Sequence, residues 1–217
     1  RRNDKNDPYA IDAWILGALA QAETIETEVK FDPAILDSSF IEKVICLSVL
    51  KDGPLKAKEF LQNKGIKLVI VPHFEKTYLD GAVLINKRGE PIIALSLRYD
   101  RLDNFWFTLA HELAHLALKH VHAEEDRCII DDLDLRDSKD DKEDAADKLA
   151  EECLIPSHLW DDHPARDTAK LKDVLDLAQK ADIHKSIVAG RIRYERNNYR
   201  ILWRHVGKNM VRELFLV

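Results

Sequence analysis

His111-Glu112-Leu113-Ala114-His115 is the stretch on which the reading of this chain turns. On an α-helix, residues four apart share a face, so His111 and His115 present two imidazoles one turn apart, with Glu112 beside them. Two such nitrogens can grip one metal ion, zinc above all, and the carboxylate between them can take a proton from an activated water. The flanks describe a buried helix. Asp103 and Asn104 are cap-type residues, and Phe105, Trp106, Leu109, Leu113, Leu116 and Leu118 form an apolar series around the histidines. Burying two histidines and a glutamate costs desolvation unless each has a partner, and a metal supplies one. The spacing points to metal-assisted peptide hydrolysis, with Glu112 as general base and His111 and His115 as ligands.

A catalytic zinc site usually has three protein ligands and one open position, so a third donor must come from elsewhere in the chain. Residues 124–147 hold twelve acids against four bases. Up to about Asp140 this run reads as solvated loop. From Asp141 onward, Ala146, Leu149, Ala150, Cys153 and Leu154 make a helical apolar face that ends before Pro156. Glu143 is the first choice of ligand, with Asp141, Asp144 and Asp147 behind it. Any of the four is equally at home as plain surface charge near a helix N-terminus. His120 follows His115 by five residues, about 140° around an ideal helix, so it and His122 are expected to be structural or surface residues. Tyr99, Arg98, His184 and Arg191 are conceivable donors to a tetrahedral oxyanion. Cys153 is read as core packing.

Outward from this centre the pattern is α+β. Residues 1–8 read as a linker ending at Pro8. Helices are expected from Tyr9 to about Glu28, from Ser39 to Leu50, and from Pro54 to Asn63 with Gly65 closing the last. Lys67–Val71 reads as a strand, and residues 82–87 and 91–96 flank the turn signal Arg88-Gly89-Glu90. The result is a small, mostly antiparallel sheet followed by the histidine-bearing helix. Beyond Pro156, two helices are expected, Ala169–Ala181 and Lys185–Asn197, with Tyr199–Arg204 as a final strand. Residues 9–156 are thus read as one domain and 157–217 as a helical extension packed on it. Arg191, Arg193 and Arg196 make the last helix basic, which suggests either a DNA-reading element or, the preferred reading, a cover with snorkelling arginines.

The formal net charge of −6 gives no electrostatic case for nucleic-acid binding by the chain as a whole. No apolar run is long enough to span a bilayer. Three cysteines (Cys46, Cys128 and Cys153), odd in number and widely spaced, suit a reducing cytoplasm. Arg1 at the start, and Met210 as the only methionine, suggest a piece of a longer protein whose N-terminal segment precedes this chain.

The chain resembles the ImmA/IrrE family of metallopeptidases, in particular long regulators in which such a domain follows a helix-turn-helix. The resemblance is carried by Asp7-Pro-Tyr-Ala-Ile-Asp-Ala-Trp14, by Tyr78-Leu-Asp-Gly-Ala82, and by the run from Arg98 through Asp103-Asn104-Phe105 to His115. Leu154-Ile-Pro156 and Ile183–Ile192 complete it. It implies a compact zincin-like α+β domain that binds zinc and cleaves a protein substrate, a repressor or cognate regulator, in a bacterial or phage stress response. DNA would be contacted through the preceding module, as in HigA-type antitoxins. One position departs from the pattern. The family's Glu-Ala-Asp-x-x-Ala block puts its glutamate ligand at Ala145, whose methyl cannot bind a metal. Glu143 lies two residues earlier, about 200° around an ideal helix, and replaces it only if the helix starts late or bends. Otherwise the chain is a catalytically impaired sensor or interaction domain.

Overall fold

The computed structural model describes residues 7–121 and 139–215. Most of the expected linker, and the acidic stretch 122–138 with His122 and Cys128, lie outside the described residues. The first helix, α1 (Pro8–Glu23), begins on Pro8, which the sequence reading left in the linker; Asp7 caps it by accepting the Tyr9 N–H at 3.1 Å. Proline suits this first position because an N–H there has no helical partner to lose. The helix stops at Glu23 rather than near Glu28, where the Thr24 hydroxyl donates to the Gln21 carbonyl at 2.7 Å. Next come α2 (Ser38–Cys46), capped by Asp37 and continued by a 3-10 turn over Leu47–Val49, and α3 (Gly53–Gln62).

Three strands follow: β1 (Lys67–Ile70), β2 (Gly81–Ile85) and β3 (Pro91–Leu95). Their order is β1-β3-β2, with β2 and β3 an antiparallel hairpin and β1 parallel to β3. The sheet is therefore mixed rather than mostly antiparallel. Residues 71–80 carry the chain past the position of β3 to the far edge, so the returning strand runs alongside β1 in the same direction. Central β3 is buried along its whole length. Ile92 and Ala94 face α1, with Trp14, Ile15, Val69 and Leu84. Ile93 and Leu95 face the larger core built around Phe105, Trp106, Leu109 and Leu113.

That larger core surrounds α4 (Leu102–Ala117), the histidine-bearing helix. Asp103 and Asn104 do not cap it. The N-cap is Arg101, and the first amides are satisfied from the C-terminal segment: Leu102 N–H donates to the Gly207 carbonyl at 3.1 Å and Asp103 N–H to that of Val206 at 3.3 Å. Asp103 is instead a buried carboxylate gripped by Arg101 at 2.8 and 3.0 Å, with Arg193 at 3.8 Å. Burial pushes its carboxyl above the usual range, against the pull of those two cations.

Against α4 pack α5 (Lys139–Leu154) and α9 (Lys185–Glu195), with α6 (Ser157–Trp160), α7 (Pro164–Thr168) and α8 (Leu171–Lys180) between them, and a short α10 (Arg212–Phe215) after them. Trp160, Val174, Leu177, Ile187 and Val188 share the hydrophobic cluster of α4. The expected strand over Tyr199–Arg204 is a series of turns, because Asn197 and Leu202 take φ values of 46° and 52° that no strand accommodates. Among the described residues, no helix is long and apolar enough to cross a membrane.

α9 crosses α4 at Gly190, where a Cβ would lie 2.7 Å from the Asp103 Cβ and 2.9 Å from its Oδ2. An exposed helical glycine replaced by alanine gains up to about 1 kcal/mol. Here overpacking outweighs that gain, and Gly190→Ala is expected to lower the unfolding free energy by about 1–3 kcal/mol in urea titrations. A neutral or stabilising result would show that the two helices can separate without cost.

Candidate metal centre

The centre forms where α4 meets α5. Ala110 and Ala114 on one helix and Ala146 and Ala150 on the other are fully buried in the same cluster. Such short side chains let two helices approach closely, and the polar residues flanking them then face one another. On α4 these are His111 and His115, four apart. On α5 they are Glu143 and Asp147, also four apart and so also on one face. α5 is already helical from Lys139, so Glu143 does not depend on a late start to reach the histidines. The face of α5 presented to α4 is set by Ala146 and Ala150, and Glu143 lies on it although Ala145 carries no donor. Asp141 and Asp144 are exposed.

His111 Nε2 and His115 Nε2 are 2.9 Å apart; Glu143 Oε2 lies 3.4 Å from the first and its Oε1 3.4 Å from the second. These three residues each offer one ligand atom within 4.8 Å of the others. A tetrahedral zinc with bonds of about 2.0 Å needs donors about 3.3 Å apart, so the donor set fits such an ion. The outer nitrogen of His111 is also engaged: its Nδ1 is 2.8 Å from Asp147 Oδ1. Phe107 stacks on the His111 ring at 6.1 Å between centroids. The carboxylate on Nδ1 fixes the tautomer and leaves Nε2 for the centre.

Burial works against a charged His111, but hydrogen bonds to Asp147 and Glu143 and the charge of Glu112 outweigh it and push its pKa up to about 10. A ring so surrounded by carboxylates favours a cation: a proton near neutral pH in the metal-free protein, or a metal ion in its place.

Glu112 is buried, at 7% exposure, and turned toward the sheet edge. A Cβ on Gly81 would stand 2.6 Å from Glu112 Oε1 and 2.7 Å from the Thr108 methyl, so a larger residue there would have to push this carboxylate aside. Among the described residues β2 pairs with β3 alone, and it lies against α4.

The four suggested oxyanion donors have the following contacts. His184 caps α9, its Nδ1 accepting the Ser186 N–H at 3.2 Å. Arg191 donates to the Ile155 carbonyl at 2.9 Å and lies over the Trp160 ring, closing the end of α5. Arg98 pairs with Asp80 at 3.4 Å and donates to the hydroxyl of Tyr99 at 2.9 Å. Arg193 is buried on Asp103 and the Tyr199 carbonyl, and Arg196 donates to the Arg166 carbonyl, so the arginines of α9 serve the fold. Cys153 is buried, as expected, its thiol 3.7 Å from the Ser38 carbonyl and pushed by burial up to about 12.

Two features of the centre escaped sequence reasoning. Asp147 stood only among the reserve ligands, although its spacing from Glu143 marks a shared face. His120 was turned away from His115 by the helical-wheel argument; it lies against it, Nδ1 to Nδ1 at 3.1 Å.

Residues 62–193 match the sequence profile of the IrrE N-terminal-like domain, peptidase family M78. No curated protein matches the chain. The match spans well over half of the 217 residues and takes in α4, α5 and nearly all of α9.

At pH 8 the metal-free protein keeps a proton on His111, which a cation must displace to reach Nε2. Binding of Zn2+ is therefore expected to release close to one proton and to strengthen with rising pH, by up to about tenfold per unit below the pKa of His111. Titration calorimetry in buffers of different ionisation enthalpy reads the proton directly. Asp147→Asn removes the strongest support for the proton and should reduce both this release and the metal affinity, the latter about 10- to 100-fold. An affinity constant from pH 7 to 9 would contradict the assignment.

Proposed function

Since the chain belongs to the IrrE N-terminal-like peptidase family, we propose that it is a zinc-dependent endopeptidase in which His111, His115 and Glu143 hold the metal and Glu112 is the catalytic base. The observation that carries this reading is the convergence of those three donors within 4.8 Å beside the buried Glu112. Ala145 argued for an impaired sensor domain. That argument loses its motive once Glu143 lies within 3.4 Å of both histidines.

Held there, zinc supplies a Lewis acid that makes water acidic near neutral pH and polarises a carbonyl. The chain's own residues supply the rest. Glu112 takes a proton from the attacking water onto its carboxylate and returns it to the departing amide nitrogen as the C–N bond breaks. The Gly81 contact holds that carboxylate at the edge of β2, where an extended peptide can pair through its backbone and bring a carbonyl past Glu112. Asp147 keeps His111 oriented. An edge strand recognises extended or locally unfolded chain, so the substrate is a protein with such a segment. We take it to be a repressor or other regulatory protein of a stress response, cleaved in the cytoplasm.

Protein loaded with one equivalent of Zn2+ and offered unstructured peptides and the regulator encoded beside it should produce discrete cuts by mass spectrometry, abolished by a chelator. Glu112→Gln should keep zinc affinity within a few-fold while lowering turnover about 10^2- to 10^4-fold. Gly81→Ala should lower turnover with zinc affinity kept, because the added methyl displaces the Glu112 carboxylate. Cleavage that survives Glu112→Gln, or a zinc-loaded wild type that cuts nothing offered, would overturn the proposal.

A further inference from the structure

The end of α4 is shaped by a residue that gives no hint of it in the sequence. Lys119 takes φ 55°, in the left-handed region that favours glycine. Its N–H donates to the Leu116 carbonyl at 3.2 Å, and the His120 N–H reaches back to the His115 carbonyl at 3.0 Å. This pair of reversed bonds is the Schellman arrangement, which turns the chain back over its own last turn. His120 is thereby lifted off the helical path and set against His115. The rings lie 5.1 Å apart at 69°, with their Nδ1 atoms separated by 3.1 Å.

The tautomers follow from the geometry. His115 Nε2 faces His111 Nε2 at 2.9 Å and Glu143 at 3.4 Å, on the side of the donor set. A nitrogen that gives its lone pair to a cation carries no proton, so the proton of neutral His115 sits on Nδ1. The atom facing it is His120 Nδ1, which must then offer a lone pair and keep its own proton on Nε2. His111 has a carboxylate, Asp147, in the corresponding place.

We propose that His120 is the positioning residue of His115: its Nδ1 accepts the His115 Nδ1–H and so fixes the ring with Nε2 toward the metal. Resting on the metal-centre reading above, this makes the two ligand histidines unequal. One is oriented by an anion from α5 and the other by a neutral imidazole delivered by the reversal at Lys119. His120 touches neither metal nor substrate; it acts through His115.

The test measures metal binding rather than turnover. Zn2+ affinity is taken by competition with a chromophoric chelator for wild type, His120→Ala and His120→Gln, the last keeping an acceptor oxygen. His120→Ala is expected to weaken binding about 10- to 100-fold with the metal-free melting temperature unchanged. His120→Gln should recover most of the loss, and the visible bands of the Co2+ form should shift in the alanine variant and return in the glutamine one. In zinc-loaded wild type, labelled with 15N, the His115 Nδ1 proton should show coupling through the hydrogen bond to a second ring nitrogen. That measurement decides the matter even if the alanine variant fails to fold. Wild-type zinc affinity in a folded His120→Ala protein, a glutamine variant no better than alanine, or absence of the coupling each overturns the assignment of His120. A wild type that binds no zinc overturns the metal centre itself, and this assignment with it.

Discussion

A seam of imidazoles and carboxylates inside an apolar helix–helix interface is the constraint around which this molecule is organised. The two α4 histidines are largely withdrawn from water and need partners, and imidazoles and half-exposed carboxylates meet here in a continuous chain. Asp147 meets His111, His111 meets His115, and His115 meets His120, with Glu143 set against the inner nitrogens of the middle pair. The four buried alanines between α4 and α5 make this possible. Larger side chains would hold the helices apart and carry Glu143 and Asp147 out of reach of the histidines.

Much of the remaining structure holds those two helices in place. Arg191 ties α9 to the carbonyls at the end of α5, and Asp103 anchors the start of α4 between Arg101 and Arg193. Gly190 allows α9 to cross close enough for that buried ion group to form. An unpaired charge at this depth would cost several kcal/mol, so Arg193, one of the arginines that first suggest a nucleic-acid surface, is better understood as an internal strut. The C-terminal segment contributes as well, by supplying carbonyls to the first amides of α4.

The sheet serves the centre from the other side. Its central strand is buried on both faces and gives the large core a floor, while β2 at the edge approaches Glu112 so closely that a methyl group at position 81 would push its carboxylate aside. The positions of Glu112, of the two histidines and of the edge strand are therefore set by packing between regular elements. Catalytic groups held on such elements keep their geometry better than groups on loops.

The sequence by itself determined the local features. Helical periodicity placed α1, α3, α4, α8 and α9 to within a few residues, and a short apolar run and a turn signal placed the strands. The five residues from His111 to His115 marked out the candidate ligand pair, because residues four apart on a helix share a face whatever surrounds them. Only the tertiary structure decided which partners met. It ran β1 parallel to β3, turned Tyr199–Arg204 into turns, put Asp103 on Arg193, brought Glu143 to a position that Ala145 had left without a donor, and folded His120 back onto His115. Each of these is a contact between residues whose own neighbours carry no sign of it, or a backbone angle that Lys119 adopts without glycine's freedom. Periodicity reports which way a side chain points from its own element; what it meets there depends on where the other elements come to rest.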